Sequence, residues 1–168
     1  MNRNNLIDAL KEIKVLYKEG VVLRSGEVSD FYCDIKKAFG YPEILTMLAD
    51  EIGKKIPKSA TCIAASGYGG LPLASVVATR SNLKLALVRS SEKDHGKGGL
   101  IDGYVPAKDD VCVIVDDVLT SGSSIKETLA TLTSKEVRVV SAVVVVKRKE
   151  TELPIPYSFL FTIEDLTR

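Results

Sequence analysis

The sequence predicts an α/β domain with a Rossmann-like central parallel sheet flanked by helices, and three observations predict it. Residues 111–115 and 137–146 are continuous apolar runs of the kind found in strands buried on both faces. Amphipathic stretches with helical spacing alternate with β-prone runs through the middle of the chain, the order that builds a parallel sheet. Glycine-rich or hydroxyl-rich segments join strand to helix, and strand and helix in that alternation build right-handed crossovers.

The elements follow in order. Leu6, Leu10, Ile13 and Tyr17 recur at spacings that line one helix face, with Gly20 placed to end it. Residues 21–23 and 31–35 are β-prone on either side of Ser25-Gly26, which predicts a bent or hairpin-like pair. Pro42 opens a second helix carrying Leu45, Leu48 and Ile52. A strand over 61–65 leads through a glycine-rich turn to a helix from about Leu71, and 85–88 is a further strand. Residues 89–103 are polar, glycine-rich and aperiodic, which predicts a loop of a length usually functional or mobile. After the strand at 111–115, Ile125, Leu129 and Leu132 mark a helix, and the valine-rich strand at 137–146 follows. No repeat or linker divides the chain, so residues 1–168 read as one domain.

Composition narrows the function classes. With 45% hydrophobic and 27% charged residues and a formal net charge of +1, the 168-residue chain is neither disordered by composition nor built to seek nucleic acid. The uncharged stretch 139–146 is far shorter than the roughly 20 residues of a membrane helix. Asp8 interrupts the place where a signal peptide would carry its apolar run, so the expected compartment is cytoplasmic. Cys33, Cys62 and Cys112 are widely spaced among apolar residues, which predicts buried reduced thiols. One histidine and no Cys-x-x-Cys leave no soft ligand set for zinc, so any metal is a hard cation held by oxygen.

The most informative segment is Val111-Cys112-Val113-Ile114-Val115-Asp116-Asp117-Val118-Leu119-Thr120-Ser121-Gly122-Ser123-Ser124. A buried strand delivers two adjacent carboxylates at its carboxyl end, where open α/β sheets bind ligands. Hydroxyls, backbone N–H groups and a helix start then follow, which suits a terminal phosphate at Thr120, Ser121, Gly122, Ser123 and Ser124. Adjacent side chains point to opposite sides in extended chain, so one acid faces sugar hydroxyls or hydrated Mg²⁺ while the other braces it. The blander alternative is a βα turn with solvated acids and a capping box between Ser124 and Glu127, and the capping itself is expected in either case. Walker and dinucleotide patterns are absent, Pro72 standing where a third glycine would belong.

Residues 113–122 resemble the phosphoribosyl-pyrophosphate (PRPP) motif of type I phosphoribosyltransferases, and three further segments are similar to the orotate phosphoribosyltransferase family in its own order. Arg89-Ser90-Ser91-Glu92-Lys93-Asp94-His95-Gly96 resembles the catalytic loop that acts on pyrophosphate in the neighbouring subunit. Arg24-Ser25-Gly26 with Phe31 and Tyr32 resembles the orotate segment, with Arg148 as partner for the orotate carboxylate. Gly67-Tyr68-Gly69-Gly70 resembles the pyrophosphate loop. Five positions depart from the family pattern: Ser90, Gly69 and Arg24 where lysine is often found, Lys97 where many members carry an acid, and Lys147 where the family has aspartate.

The resemblance implies a type I phosphoribosyltransferase fold with a small N-terminal hood, PRPP and orotate as substrates, Mg²⁺ at Asp116 and Asp117 through water, and catalysis by Lys93, His95, Asp116 and Asp117. It further implies substrate contacts at Arg89, Tyr68, Gly69, Gly70 and the phosphate segment, and a homodimer in which loop 89–103 completes the partner's site. Alternation in the Phe31-Tyr32 pair would bury one ring and leave the other for a ligand. A purine phosphoribosyltransferase would lack the Lys93-Asp94-His95-Gly96 and Arg24-Ser25-Gly26 segments, and a PRPP-sensing regulator of the same fold is the alternative from another class.

Overall fold

The computed structural model describes residues 3–17, 21–22, 28–29, 31–91 and 99–168. Helix α1 (Arg3–Glu12) buries Leu6 and Leu10 and ends short of the predicted Gly20. Lys14 takes φ 54° there, its N–H bonding the Lys11 carbonyl at 2.9 Å while that of Val15 bonds the Leu10 carbonyl at 3.2 Å. That pair of bonds is a Schellman cap. The same cap, built on Asn82 and on Glu136, ends two later helices, so none of the three uses the glycine that a sequence search looks for.

Tyr17 consequently leaves the helix for a strand. β1 (Leu16–Tyr17) pairs antiparallel with β4 (Tyr32–Cys33), and inside it β2 (Val21–Val22) pairs with β3 (Val28–Ser29). The predicted hairpin exists with different partners, because residues 32–33 reach back to 16–17 rather than to 21–23. A short 3-10 helix, Ile35–Gly40, then leads into α2 (Pro42–Gly53), which starts at Pro42 as predicted.

The central sheet comprises β5 (Cys62–Ser66), β6 (Lys84–Val88), β7 (Ile101–Gly103), β8 (Val111–Leu119), β9 (Arg138–Lys147) and β10 (Tyr157–Thr162). They lie in the order β10-β9-β8-β5-β6-β7, and every neighbouring pair is parallel except β6 with β7. The predicted parallel sheet with flanking helices is present and carries one antiparallel strand at its edge, where the predicted loop 89–103 gives way to a strand at Ile101. Ile101 is buried against β6, so its apolar side chain is worth more in the sheet than in a loop.

Alternation along the strands fills two cores. Ile63, Ala65, Val113, Val115, Val143 and Val145 pack with Leu48 and Ile52 of α2 and with Leu73 and Val77 of α3 (Gly67–Ser81). Cys62, Ala64, Cys112, Ile114, Ala142 and Val144 face the other way, against Ile125 and Leu132 of α4 (Ser123–Thr133). All three cysteines are buried and free, as predicted. Helix α3 begins four residues before Leu71, since the glycines pack as its first turn rather than as a loop. A final helix, α5 (Ile163–Thr167), is capped by Thr162 and Asp165 and held to α1 by an Arg3–Asp165 ion pair of 2.8 Å. Among the described residues no helix is long and apolar enough to cross a membrane.

The amino-terminal edge of the sheet is stapled by Asp110, only 5% exposed. It accepts from Thr61 Oγ1 at 2.7 Å, Lys84 Nζ at 3.0 Å, the Tyr104 hydroxyl at 2.6 Å and the Ala107 N–H at 3.0 Å. Burial alone would raise this carboxyl, but the Tyr104, Ala107, Thr61 and Lys84 donors outweigh it and hold the group well below the usual carboxylate range. A depressed native pKa stabilises the fold fully above the unfolded value of about 4 and progressively less as pH falls beneath it. Asp110→Asn is expected to lower stability by about 1–3 kcal/mol at pH 7, and urea unfolding at pH 3 should show that difference shrinking.

Candidate active site

The carboxyl ends of β5, β6, β8 and β9 meet at the opposite edge. β8 runs through both acids to Leu119, so the alternation of extended chain sends their carboxylates to opposite faces. Asp116, 7% exposed, turns beneath α4, where the Ser124 hydroxyl donates to Oδ2 and the Asp117 N–H donates to Oδ1 at 3.0 Å. Burial, reinforced by the neighbouring Asp117 charge, pushes the Asp116 carboxyl up to about 7 against the pull of those two donors. Asp117 turns toward α3, its Oδ1 accepting the Val118 N–H at 2.8 Å and its Oδ2 lying 3.8 Å from Lys36 Nζ.

The first turn of α3 lies directly on the acid pair. A Cβ on Gly69 would stand inside van der Waals contact with the Asp117 carboxyl carbon and both of its oxygens. One on Gly70 would meet the Val115 carbonyl at 3.0 Å and Asp116 Oδ1 at 3.3 Å. Gly69 thus excludes any side chain and Gly70 is tightly packed, while the first-turn N–H groups, which lack intrahelical acceptors, lie at the ligand edge. Beside them Tyr68 is 90% exposed. Thr128 of α4, itself buried, donates its hydroxyl to Ser66 at 3.0 Å and so ties α4 to the end of β5.

The hydroxyl-rich turn after β8 forms a second anion cradle. Gly122 is the N-cap of α4 at φ 74°, and a Cβ there would lie 2.5 Å from Leu153 Cδ2. No side chain caps this helix, so the expected Ser124–Glu127 capping box is absent: Ser124 is committed to Asp116 instead. The Ser123 N–H reaches the Ser121 hydroxyl at 3.4 Å, and the first-turn N–H groups of α4 that follow it are left for an anion. Ser121 and Ser123 are exposed, with their hydroxyls 2.8 Å apart. The chain after β9 braces the turn from behind, through the Arg148 N–H to the Leu119 carbonyl at 3.0 Å and the Thr151 hydroxyl to the Thr120 carbonyl at 2.6 Å.

Two helix starts and an acid pair converging on one sheet edge have counterparts among known proteins. Residues 41–167 match the phosphoribosyl transferase domain family. Over 99% of its length the chain is 36% identical to an orotate phosphoribosyltransferase of Methanopyrus kandleri, covering 92% of that protein. A second such relative, from Methanocorpusculum labreanum, is 36% identical over 87% of the chain and 84% of its own length. The chain belongs to the orotate phosphoribosyltransferase family. The crystal structure of orotate phosphoribosyltransferase from Aeropyrum pernix superposes with a TM-score of 0.80 at 26% identity, covering 96% of this chain and 95% of that one. A Mycobacterium tuberculosis orotate phosphoribosyltransferase crystallised with PRPP shares the fold, with a TM-score of 0.77 at 18% identity over 99% of both chains.

Orotate phosphoribosyltransferase resemblance singled out residues that the fold now distributes. Arg148 is half-buried where β9 ends, on the same edge as the cradle. Arg89 donates to Asp102 at 2.9 Å and its N–H bonds the Leu100 carbonyl at 2.8 Å, closing the neck below residues 92–98. Phe31 and Tyr32 are both half-buried, so the expected division into one buried and one free ring does not hold: β4 begins only at Tyr32, whose ring lies 6.2 Å from that of Tyr17. Arg24, Lys93 and His95 lie outside the described residues. Lys147, at the family's aspartate position, pairs with Glu150 and lies 4.7 Å over the Phe159 ring.

The sequence reading missed Asp34 and Lys36, which the 3-10 helix and the strand before it carry to the acid pair. Buried Cys33 between them is pushed up to about 12, by burial first and then by the charges of Asp117 and Asp34, while Lys36 and Arg148 pull it back. Nothing in local spacing announces these residues, because they reach Asp117 only through the tertiary fold.

Two outcomes are expected. Gly122→Ala should lower stability by about 2 kcal/mol, from left-handed strain and the Leu153 clash, and weaken phosphate binding, measured by urea unfolding and calorimetry. The unfolded chain releases the Asp116 proton near pH 4 and the native protein near 7, so wild-type stability should fall across that interval. Asp116→Asn should flatten this slope in unfolding measurements at pH 5 and pH 7.5.

Proposed function

We propose that this chain transfers the phosphoribosyl group of PRPP to orotate, giving orotidine 5′-monophosphate and pyrophosphate in pyrimidine synthesis. The observation that carries the reading is the twin-acid end of β8 running into an uncapped, hydroxyl-lined helix start with glycine at positive φ. The family relationship supports both the reaction class and the acceptor.

The 5′-phosphate sits among the N–H groups of Thr120, Ser121, Gly122, Ser123 and Ser124 and the hydroxyls of Thr120, Ser121 and Ser123, where the α4 dipole favours an anion. Asp117, on the α3 side of the sheet edge, accepts from the ribose hydroxyls, and Asp116 holds Ser124 and the helix start in place behind it. Backbone N–H groups at Gly69 and Gly70, beside Tyr68, face the diphosphate. Arg148, Arg24, Phe31 and Tyr32 bind the flat, singly charged orotate. Its ring nitrogen attacks the anomeric carbon as the bond to the diphosphate oxygen breaks, so positive charge grows on the sugar and negative charge on the leaving group. Arg89, Lys93 and His95 of a homodimer partner meet that negative charge, which makes them better ligands of the transition state than of the ground state. Closure of their loop excludes the water that would hydrolyse the activated sugar.

Mg²⁺ fits this donor set. Among the described residues no cluster of three or more protein ligands forms a cage, and Mg²⁺ commonly takes one or two carboxylates together with substrate phosphates and water. Asp117, with Asp116 behind it, would hold the ion through water, and when bound it neutralises charge on the diphosphate. The working compartment we assign is the cytoplasm.

Mixing the protein with Mg²⁺, PRPP and orotate should consume orotate, read by its ultraviolet absorbance. PRPP binding without turnover, or turnover of purine bases alone, would overturn the assignment. Lys93→Ala should lose about 100-fold in kcat with little change in PRPP affinity, and a loss of affinity alone would remove the transition-state role.

A further inference from the structure

We infer that Lys36 is a substrate-binding cation, parked between Asp34 and Asp117 in the free protein and transferred to the diphosphate of the sugar donor when that donor binds. The inference rests on the reaction proposed above and adds to it a residue that none of the matched motifs contains.

The geometry has four parts. The base of Lys36 is fixed, because Ile35 and Ala38 of its 3-10 helix are fully buried. Its side chain remains 42% exposed, with Nζ 3.0 Å from Asp34 Oδ1 and 3.8 Å from Asp117 Oδ2. The ammonium is thus closer to Asp34, an ion pair without hydrogen-bond geometry, than to Asp117, whose oxygen lies beyond hydrogen-bonding range. Asp117 Oδ2 in turn lies 2.6 Å from the place a Cβ on Gly69 would take, so ammonium and glycine turn flank the same carboxylate.

Charge supplies the motive. Residues 66–72 and 119–124, which form the two helix-start turns, contain no lysine or arginine. Backbone N–H groups and helix dipoles carry only partial charges, so apart from Mg²⁺ and the partner's loop the two turns give a diphosphate no full positive charge from their own protomer. Among the described residues Lys36 is the ammonium paired with the motif's acids. A lysine is a compact point charge on a flexible four-carbon stem. Moving it from Asp117 to an incoming phosphate oxygen needs rotation of that stem alone, and Asp34 remains beside it throughout. The move also frees Asp117 Oδ2 for a ribose hydroxyl, so the resting ion pair keeps the acid's charge compensated until substrate arrives.

Calorimetric titration with magnesium pyrophosphate tests this without requiring turnover. Lys36→Met and Lys36→Gln are each expected to weaken pyrophosphate binding at least tenfold and to raise KM for PRPP in proportion, while KM for orotate stays within about threefold. Lys36→Arg, which keeps the charge, should restore both quantities to within about threefold of wild type. Thermal unfolding identifies which variants are folded, and the glutamine variant preserves a polar stem should the methionine variant collapse. Unchanged pyrophosphate affinity in the folded, charge-free variants, or a change confined to orotate KM, overturns the role. Wild-type protein that binds pyrophosphate yet leaves orotate untouched would instead sink the proposed reaction, and the titration would still decide Lys36.

Discussion

Two negative charges at the end of one buried strand are the constraint around which this edge of the molecule is arranged. Asp116 and Asp117 are adjacent, and extended chain can separate their carboxylates only by sending them to opposite faces. Each face then has to accommodate a carboxylate where a hydrophobic core would otherwise continue. On one face Ser124 and the Asp117 N–H donate to Asp116, which still titrates near neutrality because it is buried beside another acid. On the other, Gly69 brings a helix start so close to Asp117 that no side chain fits between them.

The local cost is the functional opportunity. Unfavourable charge concentrated at a sheet edge is what a sugar with hydroxyl donors and a hydrated cation can relieve, and helix starts on either side favour the anionic groups that such a sugar carries. Cradle and base-binding side are also joined mechanically. The segment following β9 carries Arg148 and, through Thr151 and Leu153, abuts the Thr120–Gly122 turn.

Much of this was legible in the order of residues. The valine runs of β8 and β9, the proline that starts α2 and the acid pair followed by hydroxyls and glycine are local signals, and each ended where local physics places it. The short terminal elements β10 and α5 were not legible. Their six and five residues offer too few periods for a pattern, and they exist because β9 provides a parallel edge and Arg3 an ion-pair partner. Helix ends failed for a related reason: Lys14, Asn82 and Glu136 adopt positive φ because the following Val15, Leu83 and Val137 carry the chain back into packed structure.

By itself, then, the chain order determined the α/β class, the acid pair with its hydroxyl-and-glycine turn, and the family resemblance, since these depend on residues close together in sequence. Only the tertiary structure decided that Ser124 serves Asp116 instead of capping its helix, that Ile101 joins the sheet edge, and that Asp34 and Lys36 stand beside Asp117. Those outcomes depend on which surfaces meet after folding, and electrostatic contacts between residues some 80 positions apart leave no local pattern to read.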